Sequence, residues 1–244
     1  MNADEYEIMY RVEDTLWWYR GMEAISRAAI ERNYARGGGI KILDAGCGTG
    51  AGMNYLADYG AVMGLDYSPH ALRFCQKRGK ARLTQGSVEA LPLAANSFDV
   101  VTSFDVLCCN GIDDQKALCE FNRVLVRGGR AILRLPAYNW LRGAHDVAVN
   151  VRYRYTAHEI RQRLARAGFM VEHVSYANMW LFPVALLKRA CEGWLWPNQD
   201  HSDLSMDVGR LNGLLTAILT SEAPAIQAAG LPFGLTVVAI ARKP

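Results

Sequence analysis

Leu-Asp-Ala-Gly-Cys-Gly-Thr-Gly, residues 43–50, is the most informative segment of this 244-residue chain. It follows a short apolar run that ends at Leu43, and it precedes a segment compatible with a helix. Glycines at such a turn let the backbone approach a ligand closely, and the first N–H groups of the helix remain free to bind it. The segment therefore predicts a site for a nucleotide-like ligand.

The kind of nucleotide depends on Asp44. Gly46, Gly48 and Ala51 fit the loose Gly-x-Gly-x-x-Gly/Ala pattern, and Asp66 follows Gly46 by 20 residues, which is the spacing of dinucleotide-binding proteins. A carboxylate at Asp44 would repel a pyrophosphate. It suits S-adenosylmethionine (SAM), which has an ammonium and a sulfonium and no phosphate. We therefore favour SAM over NAD(P), with a glycine turn that binds no ligand as the third alternative.

Composition narrows the choice of protein class. The formal net charge of +3 is too small to indicate binding to nucleic acid or to an anionic membrane. The six cysteines include no Cys-x-x-Cys pair, so we expect no metal site and no disulfide framework. No apolar run reaches the ~18 residues of a membrane span, and the N-terminus lacks the apolar core of a signal peptide. We expect a cytoplasmic protein with reduced thiols.

Apolar segments and helix-compatible segments alternate along the chain. The alternation predicts an α/β fold with a parallel sheet covered by helices on both faces. Residues 3–35 are predicted to be helical, and their aromatic patch at 17–19 either docks on the domain or forms a lid. The predicted strands are 40–45, 61–66, 81–84, 98–104, 130–135, 169–176 and 234–242, and the predicted helices between them are 50–59, 69–78, 113–125 and 156–167.

The second half of the chain contains two longer elaborations. Residues 137–155 are predicted to form an irregular insertion, and residues 178–230 to form two further helices joined at Trp194, Trp196 and Pro197. Thr156 and Glu159 have the spacing of a capping box at the start of a helix. The insertion before the last strand is expected to cover a substrate.

Three segments within residues 40–135 resemble those of the class I SAM-dependent methyltransferases. Residues 44–50 are similar to motif I of that family, residues 86–101 resemble its GDAEALPF…SFDVV segment, and residues 123–129 resemble RVLRPGG. The resemblance implies a Rossmann-like, doubly wound sheet of seven strands, mostly parallel with the last strand antiparallel. It also implies an N-terminal helical lid, SAM as cofactor and S-adenosylhomocysteine as its product.

The resemblance assigns cofactor contacts to residues at the strand ends. Asp66, with Tyr67 after it, is expected to accept hydrogen bonds from ribose hydroxyls, although a helix N-cap role also fits Asp66. Ser87 stands where the family has an acid that accepts from the adenine amino group, so a charge-assisted contact is lost. The Val88 N–H is expected at the ring edge, and Phe104 near the methionine portion.

Outside the core the resemblance is to a narrower subgroup. Its members are similar in WWYRG at 17–21, in LPAYNWL…HD at 135–146, in RYT at 154–156 and in LFP at 181–183. They include small-molecule natural-product methyltransferases, among them an indole-terpenoid C-methyltransferase. The resemblance implies a small or medium-sized organic acceptor, with an apolar, terpenoid-like compound as one option.

Methyl transfer from a sulfonium is an in-line displacement, so the enzyme mainly has to hold the acceptor close to the methyl carbon. A base is needed only where the acceptor loses a proton. Our candidate base is His145, whose tautomer the adjacent Asp146 could fix; the alternative is a histidine that holds its loop. Tyr19 could orient the acceptor. Arg20 is a candidate partner for the SAM carboxylate, or an exposed helix arginine.

We expect a single domain over residues 1–244. It would comprise a helical cap at 1–36, a SAM-binding core at 40–136 and a substrate-side half at 137–244, with its helical insertion at 178–230. An RNA or protein methyltransferase and a catalytically silent SAM-binding scaffold are the alternatives. The expected partner is a small-molecule acceptor, with neither nucleic acid nor membrane, and the N-terminal helix could dock on a second copy to form a homo-oligomer.

Overall fold

The computed structural model describes residues 3–143, 146–147, 149–187 and 209–244. A 3₁₀ turn covers Asn139–Leu141, and residues 182–187 are helical. The helices are α1 (Ala3–Val12), α2 (Trp17–Glu31), α3 (Gly52–Leu56), α4 (Pro69–Lys77), α5 (Asp114–Val124), α6 (Ala157–Arg166), α7 (Leu211–Thr220) and α8 (Ala223–Ala228). The strands are β1 (Ile40–Ala45), β2 (Gly60–Asp66), β3 (Leu83–Gln85), β4 (Phe98–Phe104), β5 (Leu125–Pro136), β6 (Met170–Ala177) and β7 (Thr236–Arg242).

The strands form a seven-stranded sheet in the order β3-β2-β1-β4-β5-β7-β6. Neighbours from β3 to β5 pair in parallel, whereas β7 runs antiparallel to both β5 and β6. The strand order reverses between β1 and β4, and ligands of doubly wound sheets bind at such a reversal. The predicted sheet, including its antiparallel last strand, is confirmed.

Both faces of the sheet are buried under apolar layers. On one face Leu118 of α5 packs in the same cluster as Leu133 of β5, and on the other Leu56 of α3 and Leu219 of α7 pack with Ile132. Adjacent residues of β5 thus serve opposite layers, as the alternation of side chains along a strand requires. Burial on both faces leaves the carboxyl edge of the sheet as the place where polar side chains converge.

The N-terminal region differs from the single helical stretch predicted over 3–35. It forms α1 and α2, which are separated by a turn in which Leu16 adopts an extended backbone with φ of −70° and ψ of 134°. The break is stabilised from outside the segment, because the Trp17 N–H donates to Oδ1 of Asn212 at 2.8 Å. A partner from α7, distant in sequence, therefore determines where α2 begins.

Most other element ends lie close to the predicted ones, with two differences. The helix predicted over 50–59 is regular only in α3, and turn hydrogen bonds such as Tyr59 N–H to Leu56 O follow it. β5 begins earlier than predicted because Leu125 pairs with Phe98 across an irregularity in the register of β4 and β5.

The long segment between β6 and β7 is described in part. Helical residues at 182–187 and the helices α7 and α8 agree with the expected helical insertion. The predicted join at Trp194, Trp196 and Pro197 lies outside the described residues. Within the ranges given above, no helix is both long enough and apolar enough to cross a membrane.

The capping box predicted for α6 is formed, and it supplies a stability test. The Glu159 N–H donates to Thr156 Oγ1 at 3.3 Å, and the Thr156 N–H donates to Glu159 Oε2 at 2.7 Å. We expect Thr156→Ala to lower the free energy of unfolding by about 1 kcal/mol, because an N–H at the helix start loses its acceptor. Urea denaturation measures the change. Thr156→Ser keeps the hydroxyl and should stay near wild type; equal loss in both variants would contradict the capping argument.

Candidate cofactor and acceptor site

The glycine turn after β1 lies tightly against the segment that follows β4. Gly46, Gly48 and Gly50 have φ of 90°, 55° and 89°, a left-handed backbone that glycine adopts without steric strain. A Cβ on Gly46 would lie 2.2 Å from Cγ2 of Val106, so even alanine would displace its neighbour. The glycine pattern of the sequence thus reflects both the backbone conformation and a close approach.

Asp44 is the buried acid beneath this turn, and only 3% of its surface is exposed. Its Oδ1 accepts a hydrogen bond from Thr102 Oγ1 at 2.9 Å, across the β1–β4 pair. Burial raises the pKa of Asp44 to about 6; the Thr102 bond opposes the rise and the nearby Asp66 carboxylate adds to it. A cationic ligand group at this point would stabilise the carboxylate.

Asp66 lies at the end of β2, as predicted, and is also buried. One carboxylate oxygen accepts from the Gly48 N–H and the other from the Ser68 N–H, each at 2.9 Å. Burial raises the pKa of Asp66, while these two hydrogen bonds lower it. Each oxygen retains a second acceptor position, so the arrangement is compatible with ribose hydroxyls. Tyr67 follows with 78% of its surface exposed.

The loop after β3 brings the two predicted adenine contacts beside β2. The Gly86 N–H donates to Asp66 O at 3.1 Å, which ties this loop to the end of β2. Ser87 Oγ accepts from the Glu89 N–H at 3.2 Å, and Val88 is buried. The Ser87 hydroxyl is therefore held by the backbone of its own turn and keeps its proton available as a donor.

Helix α1, which belongs to the N-terminal helical lid that the resemblance implies, lies over the glycine turn. Glu13, directly after α1, accepts hydrogen bonds from Thr49 Oγ1 and, at 2.9 Å, from Arg78 Nη2. Met9 is close enough that a Cβ on Gly48 would lie 3.0 Å from its Cε. Burial raises the pKa of Glu13, and its bonds to Thr49 and Arg78 lower it.

Tyr6 extends this cover from the glycine turn to the end of β2. Its side chain is buried next to Asp66 and Ser68. Burial, together with the Asp66 carboxylate, raises the pKa of Tyr6 to about 12. The helix that covers the predicted cofactor site is thus α1. Trp17 and Trp18 of α2 pack against the apolar layer on one sheet face. Of the two alternatives for the aromatic patch, this packing favours docking on the domain over a lid.

A second group of charges lies at the ends of β4 and β5. Arg134 Nε donates to Oδ2 of Asp105 at 2.9 Å, Nη2 forms an ion pair with the same oxygen at 2.8 Å, and the guanidinium lies 4.9 Å from the ring centroid of Phe104. Asp105 has a φ of 59°, unusual for a residue with a side chain. The sequence signal for this pair is Arg134 itself, a charged residue within the apolar run of β5.

The two candidate residues on α2 have different surroundings. Tyr19 is half-buried near Glu13, Asp105 and Arg134; burial and then the Glu13 carboxylate raise its pKa, and the Arg134 cation opposes them. Arg20, the next residue of the helix, is exposed. Tyr19 therefore adjoins the charged group at the strand ends.

The candidate base cannot be placed, because His145 lies outside the described residues. Asp146 is 1% exposed and accepts from Arg154 Nε at 2.9 Å and from the Gly143 N–H at 2.8 Å. Its carboxylate therefore links two parts of the insertion after β5. The catalytic roles of His145 and Asp146 stay predictions.

The thiols and acids of the described part of the chain form no metal centre. Its cysteines are free, with Cys47 Sγ of the glycine turn 3.8 Å from Cys75 Sγ of α4. Among these residues no group of three or more histidines, cysteines and acids is arranged to hold a metal ion.

Aromatic rings gather at the same edge of the sheet, beyond β5, β6 and β7. Tyr138 stacks on Tyr176 at 5.2 Å between centroids and meets Trp140 at 5.5 Å. Phe182 adds edge contacts to Tyr138 at 5.8 Å and to Phe233 at 5.4 Å. Trp140 and Phe233 are exposed at 65% and 41%. We call these five rings the aromatic cluster.

The arrangement suits SAM better than a dinucleotide. Two buried carboxylates, Asp44 and Asp66, flank a glycine turn whose close packing excludes side chains, and a pyrophosphate there would meet two negative charges. Bound SAM would supply an electrophilic methyl group on a positive sulfur. The residues of this chain would bind its polar groups at the carboxyl ends of β1 and β2 and keep water out under α1.

Comparison with known proteins agrees with this geometry. The methyltransferase domain family matches residues 43–133. The chain is 32% identical over 191 residues to a demethylmenaquinone methyltransferase of Renibacterium salmoninarum, covering 74% of this chain and 73% of that protein. It is 31% identical over 160 residues to a Mycolicibacterium smegmatis protein assigned to the S-adenosylmethionine-dependent methyltransferases, covering 64% and 60%.

The fold also matches solved structures. A methyltransferase of Haloferax volcanii, solved with its activator Trm112, superposes with a TM-score of 0.62 at 19% identity, covering 99% of this chain and 94% of that one. Identity this low bears on the fold alone. The chain spans about half the length of the first curated relatives it matches.

We expect the Asp44 carboxylate to lower the free energy of unfolding while it strengthens ligand binding. The pKa of Asp44, about 6, lies above the ordinary 3.8. The favourable contribution of this group to the free energy of unfolding is therefore complete below pH 4 and is lost as the pH rises through 6. Asp44→Asn keeps an acceptor for Thr102 and stays neutral. We expect the variant to be more stable than wild type at pH 8, by about 3 kcal/mol at most, with no difference near pH 4.

Urea denaturation at both pH values measures this change, and calorimetry measures the affinity for SAM. The same variant should bind SAM at least about tenfold more weakly, because the ligand's cation loses its counter-charge. A variant that is less stable at pH 8, or that binds SAM as wild type does, would contradict the role given to Asp44.

Proposed function

Because the chain belongs to the class I SAM-dependent methyltransferases, we propose that it transfers the methyl group of SAM to a small or medium-sized organic acceptor. We place the reaction in natural-product metabolism, with C-methylation of an apolar, terpenoid-like compound as the most specific form of the proposal. The aromatic cluster is the observation on which the choice of acceptor rests.

The cluster lies at the sheet edge where the glycine turn also lies. In the sheet order, β5 is two strands and β6 is four strands from β1, about 10 and 20 Å, so an acceptor that spans this range would reach from the rings to the ligand at the turn. Exposed ring faces at Trp140 and Phe233 favour apolar or aromatic molecules and also stabilise cations. The Renibacterium relative is named for demethylmenaquinone, an apolar ring compound, which supports the same class of acceptor.

The residues of the chain have three tasks in this proposal. Asp44 and Asp66 hold the cofactor, and the aromatic cluster and Tyr19 orient the acceptor for in-line attack. His145 takes a proton where the acceptor must lose one. Residues 40–136 then form the cofactor-binding core and residues 137–244 the acceptor side, and a homo-oligomer through the N-terminal helix remains part of the proposal.

The proposal predicts that substitutions in the aromatic cluster weaken binding of the acceptor and leave binding of SAM nearly unchanged. We expect Trp140→Ala and Phe233→Ala to raise the KM for an apolar acceptor by about tenfold each, because each removes an exposed ring from its binding surface. The affinity for SAM should change less than twofold. Transfer of labelled methyl groups to a panel of terpenoids, quinones and aromatic amines identifies the acceptor, and calorimetry follows SAM.

Met170→Ala is the matched control, because Met170 is an exposed apolar residue at the opposite end of the sheet. Transfer to RNA or protein, but to no small molecule, would replace the proposal with the macromolecular alternative. Micromolar binding of SAM without transfer to any acceptor would favour a silent scaffold.

A further inference from the structure

Arg134 is a largely buried cation on the sheet face that Asp44 also occupies. In the register of the sheet, Asp44 pairs with Thr102, Thr102 with Ile132, and Phe104 with Arg134. Side chains two residues apart on a strand share a face. Asp44 and Arg134 therefore lie on one face, two strands apart, with Cα atoms separated by roughly 12 Å.

The hydrogen bonds of Arg134 leave part of its guanidinium free. Nε donates to one oxygen of Asp105 and Nη2 forms an ion pair with the same oxygen, while Nη1 makes only a long contact of 3.4 Å to Ser26 Oγ. A guanidinium has five donors in a planar fork, and its Nη1–Nη2 edge matches a carboxylate. The side chain of Arg134 is 15% exposed, so water screens such a contact weakly.

Asp105 leaves an acceptor free in the same place. Both donors of Arg134 reach its Oδ2, and within the described residues its Oδ1 has no hydrogen-bond partner. The φ of 59° at Asp105 turns the chain at the end of β4, and strained backbone of this kind is frequent at ligand sites. The Asp105–Arg134 pair at the ends of β4 and β5 and the Asp44 carboxylate at the end of β1 thus share one face of the sheet.

We propose that Arg134 binds the carboxylate of the methionine portion of SAM, while Asp44 and Asp105 bind its ammonium. An amino-acid end is a zwitterion, and this group offers one cation for its anion and two anions for its cation. Arg134 takes the role that the sequence analysis gave to Arg20. The proposal rests on SAM binding at the glycine turn, and it adds a subsite that recognises one end of the molecule.

The test compares two ligands that differ only in that carboxylate, SAM and decarboxylated SAM, by calorimetry on the full chain. Wild type should bind SAM at least about tenfold more tightly. Arg134→Met should weaken SAM by about 10- to 100-fold and decarboxylated SAM by less than threefold, so that the preference disappears. Arg130→Met is the matched control, because Arg130 lies on the same strand in an ion pair with Glu172.

Each other outcome overturns the inference in a recognisable way. Equal binding of the two ligands by wild type excludes a carboxylate subsite even if Arg134→Met does not fold. Equal weakening of both ligands in Arg134→Met assigns Arg134 only to holding Asp105. Binding of neither ligand by wild type would remove the cofactor site as well, which distinguishes failure of the proposed function from failure of the subsite.

Discussion

Desolvation of the Asp44 carboxylate is the constraint to which the rest of the site is adapted. Parallel strands bring their carboxyl ends to one edge, so the acids at the ends of β1, β2 and β4 lie near one another; Asp44 and Asp66 are buried there, whereas 39% of the Asp105 side chain is exposed. Backbone N–H groups satisfy Asp66 and a guanidinium satisfies Asp105, whereas Asp44 has a single neutral donor in Thr102. Among the described residues Asp44 therefore has no charged hydrogen-bond donor, and the cationic group of a ligand would supply one.

The centre of the sheet was predictable because β1 and β4 are mostly buried and are bounded by turn residues. β1 and β4 have their predicted limits, since an apolar run followed by glycine or by a change to polar residues marks a strand end without reference to partners. The division of the N-terminal region was not predictable. The break between α1 and α2 depends on Asn212, and no local signal encodes a cap that comes from another helix.

In the cofactor site, too, residues with a local sequence signal were predictable and residues brought together by distant contacts were not. Asp44, Gly46, Gly48 and Asp66 belong to a contiguous motif with a known spacing, and the structure brings them together as expected. Arg134 and Asp105 meet only through the register of β4 and β5, which sequence reasoning did not determine. Tyr6, Met9 and Glu13 reach the glycine turn through the docking of a whole helix, so their positions follow from tertiary packing.

The link between α2 and α7 also affects how the chain is made. The Trp17 N–H of α2 donates to Asn212, which lies 195 residues further along the chain in α7. Gly21 of α2 also packs against Leu219 of α7. At typical rates of synthesis, that partner leaves the ribosome about 10 to 40 s after α2 does. During this interval α3 and the first strands can already cover part of α2, but the surface around Gly21 that packs against α7 is exposed to chaperones and to aggregation.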